Sequence, residues 1–444
     1  AAAYNAAQIR FINGRSTVAD GLNAGDAAGP VLELSASLLD AGFSRFDIQS
    51  DGRIDVPGGV NLSLAPGGEF KASARQVVVG GDIFAPSGAI ALTTRDMSAA
   101  GLFPQEAQYA HYSTLILETG ACLSAAGQWI NDFTANSNGP LPPKAVNGGS
   151  VTLTSAYDLD MRAGSNVDVS GGAYVKGDGK VENGNAGSVK LSATASGFGI
   201  DNLAQRDARL FLDGALSGYA LGKGGKLEVD SSQIALFDPS KLPPGRVFFP
   251  DPRTMSRDDR LRTGLVGAAF TNDFLNQGGF YEFKFTGYDG LTVVDGTTIA
   301  PRPLSWALDG ASTYRYQPGG TSIASFAQTV NLSPELRSAP TRLTLKTGSV
   351  DNGNLHVGAN THLLVDPLGS IELESYRQLT VLGTLEARGG SIRLARPARF
   401  DNGDPVAYGD ARQSQSIYLG SDSRLLANGA TRLDAATRSY LEAG

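Results

Sequence analysis

The chain reads GGSVTL at residues 148–153, AGSVKL at residues 186–191 and GGKLEV at residues 224–229. The three segments lie 38 residues apart, so that Ser150 and Ser188 hold the same position in successive copies. After a glycine, apolar and polar residues alternate, which is typical of a short β-strand with one buried face. Such a strand cannot bury its apolar face alone, so the repeat predicts strands that stack on copies of themselves.

The same alternation continues on both sides of this repeat and indicates a three-sided coil. Ser370 and Ser391 lie in matching phase 21 residues apart, which is enough for three strands and three turns. The 38-residue spacing is then one coil plus a loop at residues 172–186. The connections are too short for the helices that usually join parallel strands, so parallel pairing must come from passing once around a coil. Residues 1–444 are therefore predicted to form a single all-β solenoid, a right-handed parallel β-helix of 15 to 18 coils.

The composition agrees with a solenoid. The chain has 444 residues, including 56 Gly, and 18% of its residues are charged. A single globular core rarely grows to this length, whereas stacked coils bury only their neighbours. The hydrophobic content of 41% is too high for a disordered chain.

Two irregular insertions interrupt the predicted coils, at residues 95–147 and 238–308. The first holds one clear strand pair among long excursions. The second is rich in proline and aromatic residues and is predicted to be partly helical. Residues 256–279 carry the helix signals, with Ser256 as a potential N-cap and acidic residues in the first turn.

The aromatic residues of the second insertion allow two interpretations. They either form the core of a small packed subdomain, or they form an exposed platform for sugar rings or a partner protein. On the second interpretation the candidate binding residues are Phe248, Phe249, Tyr281, Phe283 and Tyr288.

No catalytic residues are predicted, although β-helices also carry lyases and glycosidases. Such enzymes need paired carboxylates on one face, and the sequence contains two acidic sets that are candidates for this role. They are Asp158 and Asp160 with Asp168 nearby, and Asp47, Asp51 and Asp55. Strand alternation explains the first pair as outward-facing residues between Tyr157, Leu159 and Met161, and it explains the second set as turn and outer-face residues.

No cofactor or metal site is predicted either. The sequence lacks G-x-S-x-G, Walker A, G-x-G-x-x-G and the calcium-binding nonapeptide repeat. Its single cysteine, Cys122, cannot form an internal disulfide, and three histidines (His111, His356 and His362) do not have metal-site spacing. The net charge of −7 disfavours nucleic acid as a partner. No apolar run reaches 18 residues, so no membrane-spanning helix is predicted.

Three segments of the sequence resemble those of a known protein family. The phrases GGSVTLTS at 148–155 and NAGSVKLSA at 185–193, with GGFYEFKFTGYDGLTVVDGTTIAP at 278–301, are similar to the filamentous haemagglutinin-like large exoproteins of Gram-negative bacteria. Those exoproteins are the secreted partners of two-partner secretion systems. The sequence departs from the family pattern because it contains no Asn-Pro dipeptide, which the secretion domain of such proteins usually carries. We therefore expect an internal or C-proximal piece whose transport signals lie outside this chain.

The resemblance implies a rigid extracellular stalk of an adhesin, secreted or held at the cell surface, that mediates attachment, aggregation or biofilm contact. The expected partners are a surface glycan or protein of a host cell or bacterium, and an outer-membrane transporter that recognises a region outside this chain. No RGD tripeptide supports integrin binding. A polysaccharide-active β-helix enzyme and a pure structural spacer are the alternatives.

Overall fold

The computed structural model folds into two compact units. Unit 1 comprises Ala1–Gly225 and Ser305–Val330, and unit 2 comprises Lys226–Leu304 and Asn331–Gly444. The structure describes residues 8–14, 31–95, 113–133, 145–194, 208–242, 267–310, 312–348, 353–397, 400–401, 404–405, 416–433, 437 and 439–443.

Unit 1 is a three-sided parallel β-helix. From Arg45 onward the chain passes from a first face to a second and then a third, and it repeats this order in successive coils. The first face consists of β3 (Arg45–Gln49), β6 (Glu69–Ala74), β9 (Ala89–Thr94), β13 (Ser150–Ser155) and β18 (Ser188–Ala193). The second face consists of β2 (Val31–Ser35), β1 (Gln8–Ile12), β4 (Arg53–Val56), β7 (Gln76–Val79), β10 (Leu115–Leu117), β14 (Leu159–Met161) and β19 (Leu210–Leu212). Strands β1 and β2, which precede β3 in the chain, thus both lie on the second face. The third face consists of β5 (Asn61–Ser63), β8 (Asp82–Phe84), β11 (Cys122–Ser124), β15 (Asn166–Asp168) and β20 (Ala215–Ser217).

Two smaller sheets and three 3-10 segments complete the described part of unit 1. One sheet contains β12 (Trp129–Asn131), β16 (Ala173–Val175) and β17 (Val181–Asn183). The other is the antiparallel pair of β25 (Ser305–Ala307) and β26 (Gln328–Val330). The 3-10 segment Ala36–Ala41 buries Leu39 and is followed by Gly42 in a left-handed conformation. Further 3-10 segments are Thr313–Tyr316 and Ile323–Ser325.

Unit 2 repeats the three-sided arrangement. Its first face contains nearly all of β21 (Gly225–Phe237), the beginning of β23 (Phe280–Val293), β27 (Arg342–Thr347), β30 (Ser370–Glu374) and β33 (Ser391–Ala395). Its second face contains the end of β23, β28 (Asn354–Val357), β31 (Leu379–Val381) and β36 (Ile417–Leu419). Its third face contains β24 (Thr298–Ile299), β29 (His362–Leu364), β32 (Thr384–Glu386) and β37 (Arg424–Leu426). Additional strands are β22 (Ala268–Thr271), β34 (Phe400–Asp401), β35 (Asp404–Pro405), β38 (Ala430–Leu433) and β39 (Tyr440–Ala443), and 3-10 segments are Pro239–Lys241, Asn272–Asn276 and Pro334–Leu336.

Columns of identical register fill the interior of each unit. On the first face of unit 1, Phe70, Ile90, Val151 and Val189 pair in sequence from coil to coil, and all four are buried. On the first face of unit 2, Phe285 and the leucines Leu345 and Leu373 form the equivalent column. Each fully buried apolar side chain stabilises the fold by about 1.5–3 kcal/mol relative to exposure. The alternation seen in the sequence therefore defines the core.

A column of glycines precedes the first-face strands. A Cβ atom on Gly149 would lie 1.9 Å from the Gly88 carbonyl oxygen, and one on Gly187 would lie 1.7 Å from the Gly149 oxygen. In unit 2, a Cβ atom on Gly390 would lie 1.9 Å from the Gly369 oxygen. The obstructing atoms belong to the backbone, so the coils approach too closely at this corner for any side chain. This explains the glycine that opens each copy of the repeat.

Buried hydroxyl groups complete the corner at the other end of the first face. In unit 1, the Ser155 hydroxyl donates to the Asp158 carbonyl oxygen at 2.7 Å and lies 3.2 Å from the Thr94 hydroxyl. In unit 2, Ser375 and Thr347 each donate to the Gly353 carbonyl oxygen at 2.8 Å. These hydroxyls satisfy backbone groups that turn away from the strand ladder.

The structure confirms the fold class and the register of the repeat. Ser150 pairs with Ser188, and Ser370 pairs with Ser391. The predicted loop at residues 172–186 instead contains the antiparallel pair of β16 and β17. The predicted 15 to 18 coils were too many, because the described first-face strands number ten.

Regular coils pass through both predicted insertion regions. In the region 95–147, β10 and β11 belong to regular coils, and in the region 238–308, β23 and β24 do so as well. Most of the predicted helix at 256–279 lies outside the described residues. Its described part was predicted wrongly, because Ala268–Thr271 is a strand and Asn272–Asn276 is a 3-10 segment.

Candidate functional site

The predicted aromatic platform does not lie on one surface. Tyr281 and Phe283 are buried, with 1% and 2% of their surfaces exposed, because they belong to β23 and Phe283 pairs with Leu343 in the core column. Their assignment as binding residues was therefore wrong. Tyr288 is 40% exposed, and Phe248 and Phe249 lie outside the described residues.

A different aromatic surface occurs in unit 1, to which residues 305–330 belong as a separate segment of the chain. Their ends are held by the β25–β26 pair, and the backbone amide of Trp306 donates to the Ala220 carbonyl oxygen at 3.1 Å. The segment covers the buried Trp129, whose Nε1 donates to the Gln317 carbonyl oxygen at 3.2 Å. The apolar side chains packed together here are Trp129, Ala173, Val175, Val181, Leu221, Trp306, Leu308, Tyr314, Ile323, Phe326 and Ala327.

Two aromatic rings stand at the surface above this cluster. Phe133 and Tyr316 have ring centroids 6.0 Å apart at an interplanar angle of 73°, and they are 37% and 71% exposed. The Asn131 side chain fixes their backbones, since its Nδ2 donates to the Arg315 carbonyl oxygen at 2.8 Å and its Oδ1 accepts from the Phe133 amide at 2.9 Å. We call Phe133 and Tyr316 the exposed aromatic pair. An anchored ring with an open face suits contact with a sugar ring or an apolar side chain.

The sequence interpretation missed this pair. Phe133 lies in the first predicted insertion, but Tyr316 lies beyond the second. The signal available was the aromatic spacing TYRY at residues 313–316, although nothing in the sequence indicates which distant segment these rings meet.

Unit 2 contains a cavity of about 550 Å³ beside its third face, which we call the arginine pocket. Its size falls within the roughly 300–1,000 Å³ typical of small-molecule sites. Its lining residues are Ala300, Pro301, Arg302, Asn331, Leu332, Ser333, Pro334, Glu335, Arg337, Leu364, Val365, Asp366, Pro367 and Arg388.

A buried ion pair supports the arginine pocket. Arg337 Nη1 lies 2.6 Å from Asp366 Oδ1, and the two side chains are 2% and 5% exposed. Asp366 Oδ2 accepts from the Thr341 amide at 3.0 Å, and Arg337 Nε donates to the Leu332 carbonyl oxygen at 3.1 Å. A buried pair needs such additional hydrogen bonds to offset its desolvation. The pair therefore joins the 331–341 segment firmly to the coil.

The other charged groups of the pocket are more open. Among the described residues the Arg302 guanidinium has no hydrogen-bond or ion-pair partner, while its backbone amide donates to Asn276 Oδ1 at 2.7 Å. Arg388 is 64% exposed in its side chain and donates to Glu386 at 2.5 Å. The pKa of Glu335 is lowered by a hydrogen bond from its own amide and by the Ser333 hydroxyl, so this carboxylate is ionised at neutral pH.

Glu386 links the pocket rim to the third face. Its Oε2 lies 2.9 Å from His362 Nε2. Burial alone would raise the pKa of Glu386, but hydrogen bonds from Arg388 and His362 outweigh burial and lower it. Glu386 is thus an anionic anchor for Arg388.

The first acidic set is dispersed by the register of the strands. Asp160 is flanked on adjacent coils by Ile116 and Phe211, and Asp168 is flanked by Ser124 and Ser217. Burial raises the pKa of Asp168 against hydrogen bonds from Ser170. The alternation prediction is confirmed, because the side chains of Tyr157, Leu159 and Met161 are buried. Neither Asp160 nor Asp168 therefore faces a second carboxylate on the neighbouring strands.

The second acidic set is engaged by basic groups. Asp55 pairs with Arg10 at 3.2 Å and with Arg53 at 2.8 Å, and Asp51 lies 3.7 Å from Arg95. Asp47 accepts from the Gln49 side chain. These contacts give the acidic side chains structural partners within unit 1.

The described ranges contain no cluster of three or more His, Cys, Asp or Glu side chains able to hold a metal ion. Within the same ranges, none of the helices has the length and apolar character needed to cross a membrane.

No protein-family model matches the chain, and neither does any curated protein or solved structure with which it was compared.

Proposed function

We propose that this chain is part of the rigid stalk of a secreted or cell-surface adhesin of a Gram-negative bacterium, and that the exposed aromatic pair contributes to its contact surface. The observation that carries the proposal is the position of Phe133 and Tyr316 on segments that leave an otherwise regular β-helix. A resemblance of the repeat to large exoproteins supports the same role.

The proposed role depends on two parts of the fold, the regular coils and the segments that depart from them. Stacked coils with dry apolar columns resist bending and need no partner to satisfy their interior hydrogen bonds. Excursions from the coils can then vary without disturbing those columns. The partner would be a surface glycan or protein, and export would use a transporter that recognises a region outside this chain.

The test uses point substitutions and a binding assay with whole cells. Beads coated with the purified chain are incubated with bacterial and host cells, and attachment is counted for Phe133→Ala, Tyr316→Ala and the double variant. We expect each single substitution to reduce attachment several-fold, since aromatic contacts dominate many binding surfaces. Phe43→Ala is the matched control, because Phe43 is also in unit 1 and is 64% exposed.

Unchanged attachment of the double variant, with normal folding, would remove the aromatic pair from the proposal. Separate incubations of the chain with purified polysaccharides measure new reducing ends, and the appearance of such ends would favour the enzyme alternative. Deleting residues 240–285 is unsuitable as a test, because this deletion removes buried residues of β23 such as Tyr281 and Phe283.

A further inference from the structure

We propose that the arginine pocket binds an acidic saccharide, with Arg302 and Arg388 holding the sugar carboxylate. The inference deepens the proposed function by naming a ligand class, and it rests on that function only for its biological meaning. It concerns unit 2, whereas the exposed aromatic pair belongs to unit 1.

The charges of the arginine pocket leave room for an anion. Arg337 and Asp366 form a buried pair at 2.6 Å, so they neutralise each other and are not available to a ligand. Arg388 binds Glu386 through its Nε and can offer its Nη groups, and the Arg302 guanidinium lacks a partner among the described residues. A guanidinium presents parallel N–H groups that match the two oxygens of a carboxylate. The pocket therefore offers a place for a single anionic group.

Hydrogen-bond acceptors and donors line the pocket beside those arginines. Glu335, Asn331 and Ser333 line the same cavity, and together they can accept from and donate to several hydroxyl groups. The ionised Glu335 would repel a ligand that carries many negative charges, such as a polyphosphate or a heavily sulfated chain. A saccharide with one carboxylate on each sugar ring, among several hydroxyl groups, fits this arrangement best.

Prolines and a buried ion pair make the walls of the arginine pocket rigid. Pro301, Pro334 and Pro367 all line the cavity, and proline restricts the backbone. Arg337 holds the 331–337 segment through Leu332 and Asp366. A wall that is already ordered loses less entropy when a ligand binds.

The experiment is calorimetric titration of the whole chain with digalacturonate, which carries one carboxylate on each ring, with its dimethyl ester and with inorganic sulfate. We expect digalacturonate to bind, and the ester, which keeps the hydroxyls but lacks the charge, to bind about tenfold or more weakly, because hydrogen bonds to charged groups are the strong ones. Equal affinity for the ester, equal affinity for sulfate, or no binding of digalacturonate at millimolar concentration would overturn the proposal.

Variants locate the site. Arg302→Gln and Arg388→Gln should each weaken digalacturonate binding about tenfold or more, while Arg393→Gln, which changes an exposed arginine of the same unit outside the pocket, should leave it unchanged. Glu335→Gln should weaken digalacturonate binding and strengthen sulfate binding. Full affinity in both the Arg302→Gln and Arg388→Gln variants would overturn the assignment.

The two proposals fail separately. Loss of cell attachment in the Phe133 and Tyr316 variants with intact digalacturonate binding supports both. Absence of digalacturonate binding with normal, aromatic-dependent attachment overturns the ligand assignment alone.

Discussion

The first face of unit 1 and the first face of unit 2 have the same interior and very different exteriors. In both, apolar columns point inward. Outward, the last three first-face strands of unit 1 carry mostly small and hydroxyl side chains, although its earlier strands β3 and β6 carry the charged Arg45, Glu69 and Lys71. The last three first-face strands of unit 2 carry a network of charges. The outward residues of β9, β13 and β18 are Ala89, Ala91, Thr93, Ser150, Thr152, Thr154, Ser188, Lys190 and Ser192, and those of β27, β30 and β33 are Arg342, Thr344, Lys346, Ser370, Glu372, Glu374, Ser391, Arg393 and Ala395.

The charges of unit 2 satisfy one another across coils. Lys346 Nζ lies 3.4 Å from Glu372 and 3.1 Å from Glu374, and Arg393 pairs with the same two carboxylates. Exposed pairs of this kind contribute between roughly 0 and 1 kcal/mol each. The comparison teaches that the inward columns and the glycine corner specify the coil, while the outward positions are free to change.

The largest expected effect concerns the buried ion pair of unit 2. Asp366→Asn removes the charge partner of the buried Arg337, and we expect a loss of about 3–5 kcal/mol in the free energy of unfolding. Urea denaturation followed by circular dichroism measures it. Replacing both residues with leucine should recover much of the loss. A decrease of less than about 1 kcal/mol for Asp366→Asn would show that the pair is not buried as described.

The glycine corner should behave alike in both units. Gly149→Ala and Gly390→Ala place a Cβ atom against a backbone oxygen, and we expect each to lower the free energy of unfolding by about 1–3 kcal/mol or more. Gly177→Ala is the control, because nothing lies within 4 Å of its Cβ position. Both tryptophans, Trp129 and Trp306, lie in unit 1, so their fluorescence reports unit 1 specifically. Equal stability of all three variants would contradict the close approach.

The hydroxyl corners should also behave alike, with a smaller effect. Ser155→Ala and Ser375→Ala leave buried backbone carbonyl groups with one partner fewer, at about 1–3 kcal/mol each. Thermal unfolding measures both. Ser188→Ala, at an outward position, should stay within about 0.5 kcal/mol of the original chain. A neutral result for Ser155→Ala alone would mean that the two corners differ in hydration.

The exposed ion pairs on the first face of unit 2 are expected to contribute little to stability. Lys346→Gln should lower the free energy of unfolding by less than about 1 kcal/mol, and the loss should shrink with added salt because exposed pairs are screened. Thr152→Gln, on the corresponding face of unit 1, should show no salt dependence. A large loss for Lys346→Gln would assign the outer network a role in specifying the fold.

The smallest effect is a titration in unit 1. Hydrogen bonds from Arg45 and Lys71 lower the pKa of Glu69 to about 2, below its ordinary value of 4.5. Because this pKa is lowered, the stabilising contribution is fully present above pH 4.5 and is lost as the pH falls toward 2. Arg45→Gln should raise the pKa, as followed by nuclear magnetic resonance of the carboxyl carbon. An unchanged titration would show that the pair does not persist in solution.

The sequence predicts the coils better than the surfaces. Ser150 and Ser188 revealed the register because inward alternation and a leading glycine are local and repeated. Residues 305–330 could not be placed, because Trp129 and Gln317 meet across 188 residues with no repeated pattern. Tyr281 and Phe283 were wrongly predicted to bind a partner, because aromatic residues in an alternating strand can belong either to a core or to an exposed platform. The arginine pocket likewise combines several separate turns.

The stacked glycines have a consequence for engineering and for evolution. Glu69 pairs with Ala89 in the next coil, whereas Ala89 pairs with Ser150, so about three times as many residues separate the second pair and the ladder is nevertheless restored. The chain departs from the coil at its corners, and the glycine before the next first-face strand again takes its place in the column of glycines. Such corners are permissive sites at which foreign peptides could be grafted for display, and at which natural variants can acquire or lose loops without redesign of the scaffold.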